Sequence, residues 1–92
     1  MITVSILMIT YNHENYIREA IEGVLMQKTD FPIELIIGED CSTDSTRKIV
    51  VEYAEKHPDI IRPLLPERNL GMMKNFIKTM EAAKGKYIAL CE

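Results

Sequence analysis

Apolar residues fall along this chain in two rhythms, short unbroken runs and stripes with helical spacing, and their succession predicts the fold. Val4 to Tyr11 (VSILMITY) is rich in apolar and β-branched residues and ends at Asn12-His13-Glu14-Asn15, a cluster suited to turns and helix caps. It predicts a buried strand followed by a helix start. From Tyr16 to Gln27 the positions Ile17, Ala20, Ile21, Val24 and Leu25 recur at i, i+3, i+4, i+7 and i+8, which lines one helical face. Gly23 weakens this helix without breaking it, and Thr29-Asp30-Phe31-Pro32 stops it, because the residue before a proline is biased away from helical dihedrals. Ile33 to Glu39 is the second strand. Ser42, Thr43 and Asp44 can each accept a hydrogen bond from an amide at the next helix start, and Ile49, Val50, Tyr53 and Ala54 give that helix a narrow apolar stripe. His57-Pro58-Asp59 ends it. Ile60 to Leu65 predicts a third strand, placed at an edge by Pro63, which has no N–H for a ladder. Beyond Gly71, Met73, Phe76, Ile77, Met80 and Ala83 repeat with helical spacing until Gly85, and Tyr87 to Cys91 is a fourth strand.

Strand and helix alternating with short connections imply right-handed βαβ units, hence an α/β fold with a mostly parallel sheet covered by helices. No repeat, low-complexity segment or linker interrupts the series. The fourth strand has no helix after it, unlike its predecessors, so residues 1–92 are expected to be a single partial domain whose chain continues.

Composition narrows the function classes. A hydrophobic share of 47% with 27% charged residues is ordinary for a globular domain, and a net charge of -3 gives no basic footprint for nucleic acid. The first apolar stretch, Val4 to Ile9, is too short to span a bilayer and follows no basic region, so a cytoplasmic location is expected. Two cysteines, Cys41 and Cys91, make no disulfide framework and have no second Cys or His at zinc-ligand spacing, which fits a reducing compartment.

Candidate chemistry gathers where the second strand stops. The stretch IIGEDCSTDST ends an apolar strand on two adjacent carboxylates, Glu39 and Asp40, and in open α/β sheets ligands sit beyond the carboxyl ends of the strands. The pair can hold a metal, act as a general base, or accept the imide N–H of a pyrimidine base, since a carboxylate offers acceptors only. It can equally cap the following helix or face solvent. Tyr11 and Asn12 end the first strand at the same rim, adding an aromatic face and an amide; convergence of both strand ends favours a pocket. Asn69-Leu70-Gly71 precedes a helix with Lys74 in its first turn, a setting that suits a phosphate, although neither GxGxxG nor GxxxxGK occurs. His13 and His57 read as surface histidines, and Met72, Met73 and Met80 as core filler.

VSILMITYNHENYIREAIEGVLMQ, ELIIGEDCSTDST, NLGMMKNF and GKYIALCE, in this order and spacing, resemble the nucleotide-sugar-binding half of the inverting family 2 glycosyltransferases with the GT-A fold. That resemblance implies a three-layer, Rossmann-like open sheet of four parallel strands in the order 3-2-1-4 with three helices. It further implies nucleotide binding by Thr10, Tyr11 and Asn12 as the base-side wall, by Asp40 as acceptor from the base, and by Lys74 near the nucleotide. Glu92 corresponds to the first acidic position of a metal motif for Mg²⁺ or Mn²⁺; the main metal ligand, the catalytic base and the acceptor surface lie later in such enzymes. The whole enzyme would transfer a sugar from a nucleoside diphosphate donor, a UDP-sugar, to an acceptor hydroxyl of a saccharide or lipid-linked acceptor, and these residues alone would bind donor without catalysing transfer. Two departures stand out: Glu39-Asp40-Cys41 replaces the usual Asp pair and Gly, and Lys74 replaces a frequent Arg, losing bidentate geometry. The implied strand order puts Cys41 and Cys91 about two strand spacings apart, roughly 9 to 10 Å, too far for a disulfide. It also leaves the fourth strand as an open edge through which a homodimer can form. A receiver-like signalling domain and a non-catalytic nucleotide-binding or assembly module are the alternatives.

Overall fold

The structure, a computed structural model, describes residues 1–27 and 30–91. Its elements follow the sequence pattern closely: β1 (Val4–Thr10), α1 (Ile17–Leu25), β2 (Ile33–Glu39), α2 (Thr46–Lys56), β3 (Ile61–Leu64), α3 (Met72–Glu81) and β4 (Tyr87–Cys91). All pairings are parallel and the sheet order is β3-β2-β1-β4. β3 is an edge, as Pro63 requires, although it is shorter than the apolar run Ile60 to Leu65.

Alternation along the strands separates two faces. On one, Ile6, Met8, Leu35, Ile37 and Ile61 pack in a single cluster with Ile17, Ile21 and Val24 of α1 and Ile49, Val50 and Tyr53 of α2. The stripes expected for these two helices are therefore the faces they bury. The other face carries Leu7 and Ile36, both fully buried, and α3 lies against β1 and β2 there. Three layers result.

The third helix corrects the sequence expectation. Its apolar stripe does not face the sheet: Met72, Met73, Ile77 and Met80 are exposed, so these methionines are not core filler, and the buried residues are Asn75 and Thr79. Asn75 Nδ2 donates to the Gly38 carbonyl at 2.8 Å, and Thr79 Oγ1 donates to the Asn75 carbonyl at 2.7 Å. Gly38 makes this approach possible, because a Cβ there would collide with Thr79 Oγ1 and with Asn75 Oδ1. A satisfied polar contact against a bare strand backbone thus decides which side of α3 turns inward.

At the opposite end of the sheet from the rim, Glu34 is buried and its carboxylate is saturated. It accepts from Ser5 Oγ (2.6 Å), the Lys84 amide (2.7 Å) and an Arg62 guanidinium N–H (2.9 Å), while Ser5 Oγ accepts from the Gly85 amide at 2.7 Å. This network ties the segment after α3 to the sheet. Burial alone would raise the Glu34 pKa, but the Ser5 hydroxyl, the Lys84 amide and Arg62 together hold it below the ordinary carboxylate value. A carboxylate depressed in the folded state adds stability that is present above its unfolded pKa of about 4.3 and lost as pH falls through the folded value. The urea midpoint is therefore expected to drop below about pH 4, with a smaller drop in Glu34→Gln. Equal acid sensitivity in both proteins would contradict this role. Among the described residues, no helix is long and apolar enough to cross a membrane.

Candidate functional site at the strand ends

Register brings the two loops of the rim together. Thr10 lies opposite Glu39, and the Asp40 amide donates to the Thr10 carbonyl at 3.0 Å, so residues 11–16 and 40–45 leave the sheet side by side. Asn12 (φ 53°) and Cys41 (φ 57°) both adopt left-handed backbone, which turns each chain sharply off its strand.

Side chains then stitch the two loops to each other. The Asn12 amide donates to Ser42 Oγ (2.9 Å) and Asn12 Oδ1 accepts from the Thr43 amide (2.8 Å). The His13 amide donates to Thr46 Oγ1 (2.8 Å), the Glu14 amide to Asp44 Oδ2 (3.3 Å), and the Ser45 amide to Glu14 Oε2 (3.3 Å). Asp44 also accepts from the Thr46 amide (2.9 Å) and hydroxyl (2.6 Å) at the start of α2, the capping role its position in the sequence anticipates. What burial would add to the Asp44 pKa is outweighed by the Thr46 hydroxyl and amide and the Glu14 amide, which hold it below the usual range.

The two adjacent acids have different fates. Glu39 is fully buried, pairs with Arg47 Nε at 2.6 Å and accepts from the Ser42 amide at 2.8 Å. Arg47 also donates to the Pro66 carbonyl at 2.6 Å, so this acid anchors the loop after β3. Asp40 points the other way. Its two oxygens accept from the Leu70 amide (2.7 Å) and the Gly71 amide (2.9 Å), which open α3, and Asn69 Nδ2 donates to its carbonyl (3.0 Å). Each oxygen retains a lone pair for a further donor. Gly71 sits at φ 90°, a conformation that lets its amide turn back onto the carboxylate.

Asp40 lines a cavity of about 360 Å³ together with Ile9, Tyr11, His13, Asn69, Gly71, Met72 and Asn75. Tyr11 is partly exposed beside it, in a position to offer its ring. The other residues implied as nucleotide-binding are placed differently. Asn12 spends its amide on the loop clasp, Lys74 stands exposed in the first turn of α3 outside the cavity lining, and Thr10 is buried with its hydroxyl 3.0 Å from His13 Nδ1. Glu92 lies outside the described residues. Sequence reasoning missed Asn75 and the ring of His13. The signal for Asn75 was a polar residue one turn before Thr79 in a helix with few other uncharged polar positions; His13 is exposed, as expected of a surface histidine, and its place in the cavity had no signal because Asp40, Asn69 and Asn75 reach it from other segments.

A parallel sheet of this order, with helices on both faces and an acid-lined cavity at the strand ends, is the architecture of a GT-A domain. The chain belongs to glycosyl transferase family 2, whose family model matches residues 5–92. It is 50% identical over 88 residues to the uncharacterized protein Rv1520 of Mycobacterium tuberculosis, covering 96% of this chain and 25% of that protein. It is 37% identical over 89 residues to TuaG of Bacillus subtilis, assigned by name to teichuronic acid biosynthesis, covering 97% and 34%. Among solved structures it superposes on the mannosyltransferase PcManGT of Pyrobaculum calidifontis, in complex with GDP-Man and Mn²⁺, with a TM-score of 0.79 and 26% identity over 92% of this chain and 25% of that one. TarS of S. aureus matches with a TM-score of 0.76 and 32% identity, over 97% and 16%. The chain thus spans about a quarter of the length of the first curated relatives it matches.

Proposed function

We propose that residues 1–92 are the donor-binding half of a glycosyltransferase domain that transfers a sugar from a nucleoside diphosphate sugar to an acceptor hydroxyl with inversion, in polysaccharide or glycoconjugate synthesis. One observation carries the reading. Asp40 is buried at the end of β2 yet lines an open cavity beside Tyr11, with acceptor capacity left after it has bound the amides of α3. Such an acceptor, beside an aromatic ring, suits a base that presents an imide N–H, and a UDP-sugar is the donor we favour. Tyr11 stacks on the base, while Lys74 lies on the approach to the diphosphate from α3. Thr10 and Asn12 serve the same site from behind, by fixing the loop that carries Tyr11.

A divalent cation, Mg²⁺ or Mn²⁺, belongs to this reading, with Glu92 as an acidic ligand; when bound it offsets charge on the departing diphosphate. Among the described residues no group of three or more His, Cys, Asp or Glu could hold a metal, and Glu92 lies outside them. The chemistry left to these residues is binding and orientation, and catalysis of transfer draws on the remainder of the enzyme.

Calorimetric titration of UDP, GDP and CDP, with Mn²⁺ present, tests the reading. UDP is expected to bind most tightly and CDP not at all, because cytosine has no imide N–H. Failure of all three nucleotides to bind would overturn it. The β4 edge bears on oligomeric state: Tyr87, Ile88 and Leu90 are exposed on β4, which pairs with β1 on one side and is the outermost of the described strands on the other. Such edges pair with other chains, so self-association of this chain through Tyr87–Cys91 is expected, and Leu90→Lys is expected to weaken it. A monomer at all concentrations in light scattering would remove that expectation.

A further inference from the structure

We propose that His13 is a donor-nucleotide contact, its Nε2 hydrogen-bonding the ribose–phosphate portion of the ligand, and that Thr10 is the positioning residue behind it. The inference rests on the donor-binding reading above and adds to it a residue that reading does not use.

Four hydrogen bonds hold His13 in place. Its amide donates to Thr46 Oγ1, on a fully buried residue, at 2.8 Å, and its carbonyl accepts from the Tyr16 (2.9 Å) and Ile17 (2.8 Å) amides that begin α1. Its ring Nδ1 lies 3.0 Å from Thr10 Oγ1. Thr10 is only 2% exposed, and a buried hydroxyl demands a partner. Commitment of Nδ1 to that hydroxyl leaves Nε2 as the nitrogen available to a ligand. When the Thr10 hydroxyl donates to Nδ1, the neutral ring carries its proton on Nε2 and is a hydrogen-bond donor.

Position supplies the second half of the argument. The chain steps outward from β1 to β2 to β3 and then returns to the far side of β1 as β4, so the sheet order reverses between β1 and β4. Ligands of open parallel sheets bind at the carboxyl ends of the strands beside such a reversal. His13 follows β1 at that point. It lines the 360 Å³ cavity with Asp40 and Tyr11, and also an adjoining cleft of about 220 Å³ bordered by Met8 and by Cys91 at the end of β4. A nucleotide anchored through its base at Asp40 and running across the strand ends towards β4 passes the imidazole with its ribose and phosphates.

The test is an NMR titration of the chain carrying ¹⁵N-labelled histidine and backbone amides, with uridine, UMP and UDP as probes. In the free protein Nδ1 is expected to resonate as an unprotonated acceptor and Nε2 as an N–H, a preference lost in Thr10→Val. UDP is expected to shift Nε2 along with the Gly71 and Tyr11 amides. A shift already present with uridine identifies the ribose as the partner, and one that begins with UMP identifies the phosphate. His13→Ala is expected to weaken UDP roughly 10- to 100-fold, and His13→Gln less, since its amide can still donate. If UDP moves the Gly71 and Tyr11 amides while Nε2 stays unmoved and His13→Ala binds normally, the assignment of His13 is overturned and the donor pocket stands. If no amide moves, the donor reading itself falls, and this inference with it.

Discussion

Replacing Asp40 by alanine is expected to abolish measurable UDP binding and to loosen the start of α3 in the same step. Two effects share this carboxylate. Its oxygens hold the Leu70 and Gly71 amides, so removing them strips two backbone donors of their partner, while the cavity loses the acceptor proposed for the base. An amide left without its partner costs about 1–3 kcal/mol when water cannot replace it, and the open cavity admits water, so a total loss of about 1–3 kcal/mol is expected. Thermal unfolding reports the first effect, at about 4–8 °C per kcal/mol for a domain of this size, and calorimetry the second. Asp40→Asn separates them. Its single carboxamide oxygen can keep one amide, while its NH₂ opposes the other and presents a donor to an imide N–H. Stability close to wild type with binding lost would assign Asp40 chiefly to the ligand; unchanged binding in either variant would refute the proposed base contact.

Arg47→Ala is expected to be the most damaging substitution away from the cavity. Glu39 is completely buried, and without Arg47 its charge keeps, among the described residues, only the Ser42 amide. Breaking a buried ion pair costs about 3–5 kcal/mol, but the Arg47 side chain is one-third exposed, so solvent reduces the effect to about 2–3 kcal/mol. The Pro66 carbonyl also loses its donor, which frees the loop leading towards Leu70 and Gly71. Urea denaturation measures the loss. Adding Glu39→Gln to Arg47→Ala is expected to recover part of it, because an uncharged amide is cheaper to bury than an unpaired carboxylate. A double variant no more stable than Arg47→Ala would mean that the lost contact to Pro66, and not the orphaned charge, dominates.

These expectations separate two acids that are neighbours in the chain. In the sequence, Glu39 and Asp40 form one feature, a carboxylate pair at a strand end. Alternation along a strand sends successive side chains to opposite faces, and that local rule already implies different surroundings. Which acid would meet an arginine and which a pair of free amides depended on residues 47, 70 and 71, and hence on the fold. The same holds at Asn12 and Thr10. The end of β1 was legible as part of a rim, yet Asn12 became a clasp because loop 40–45 arrived close enough to supply partners, while the buried Thr10 hydroxyl meets the ring of His13 three residues on.

By itself the sequence determined the order and type of all seven elements, the edge position of β3, the buried faces of α1 and α2, and the rim as the place for chemistry. Those features follow from local periodicity, from proline and glycine at element ends, and from motifs whose spacing matches a known family. Only the tertiary structure decided that α3 turns Asn75 and Thr79 inward and leaves Met73, Ile77 and Met80 outside, that Glu34 closes a network at the far end of the sheet, and that His13 stands between two cavities. The physical reason is common to the first two, whereas His13 is exposed and its place between the cavities follows from the segments that meet around it. Burial of an apolar stripe is non-directional and can be read from one segment, whereas a buried polar group is stable only where specific donors and acceptors converge, and here those come from segments up to eighty residues apart.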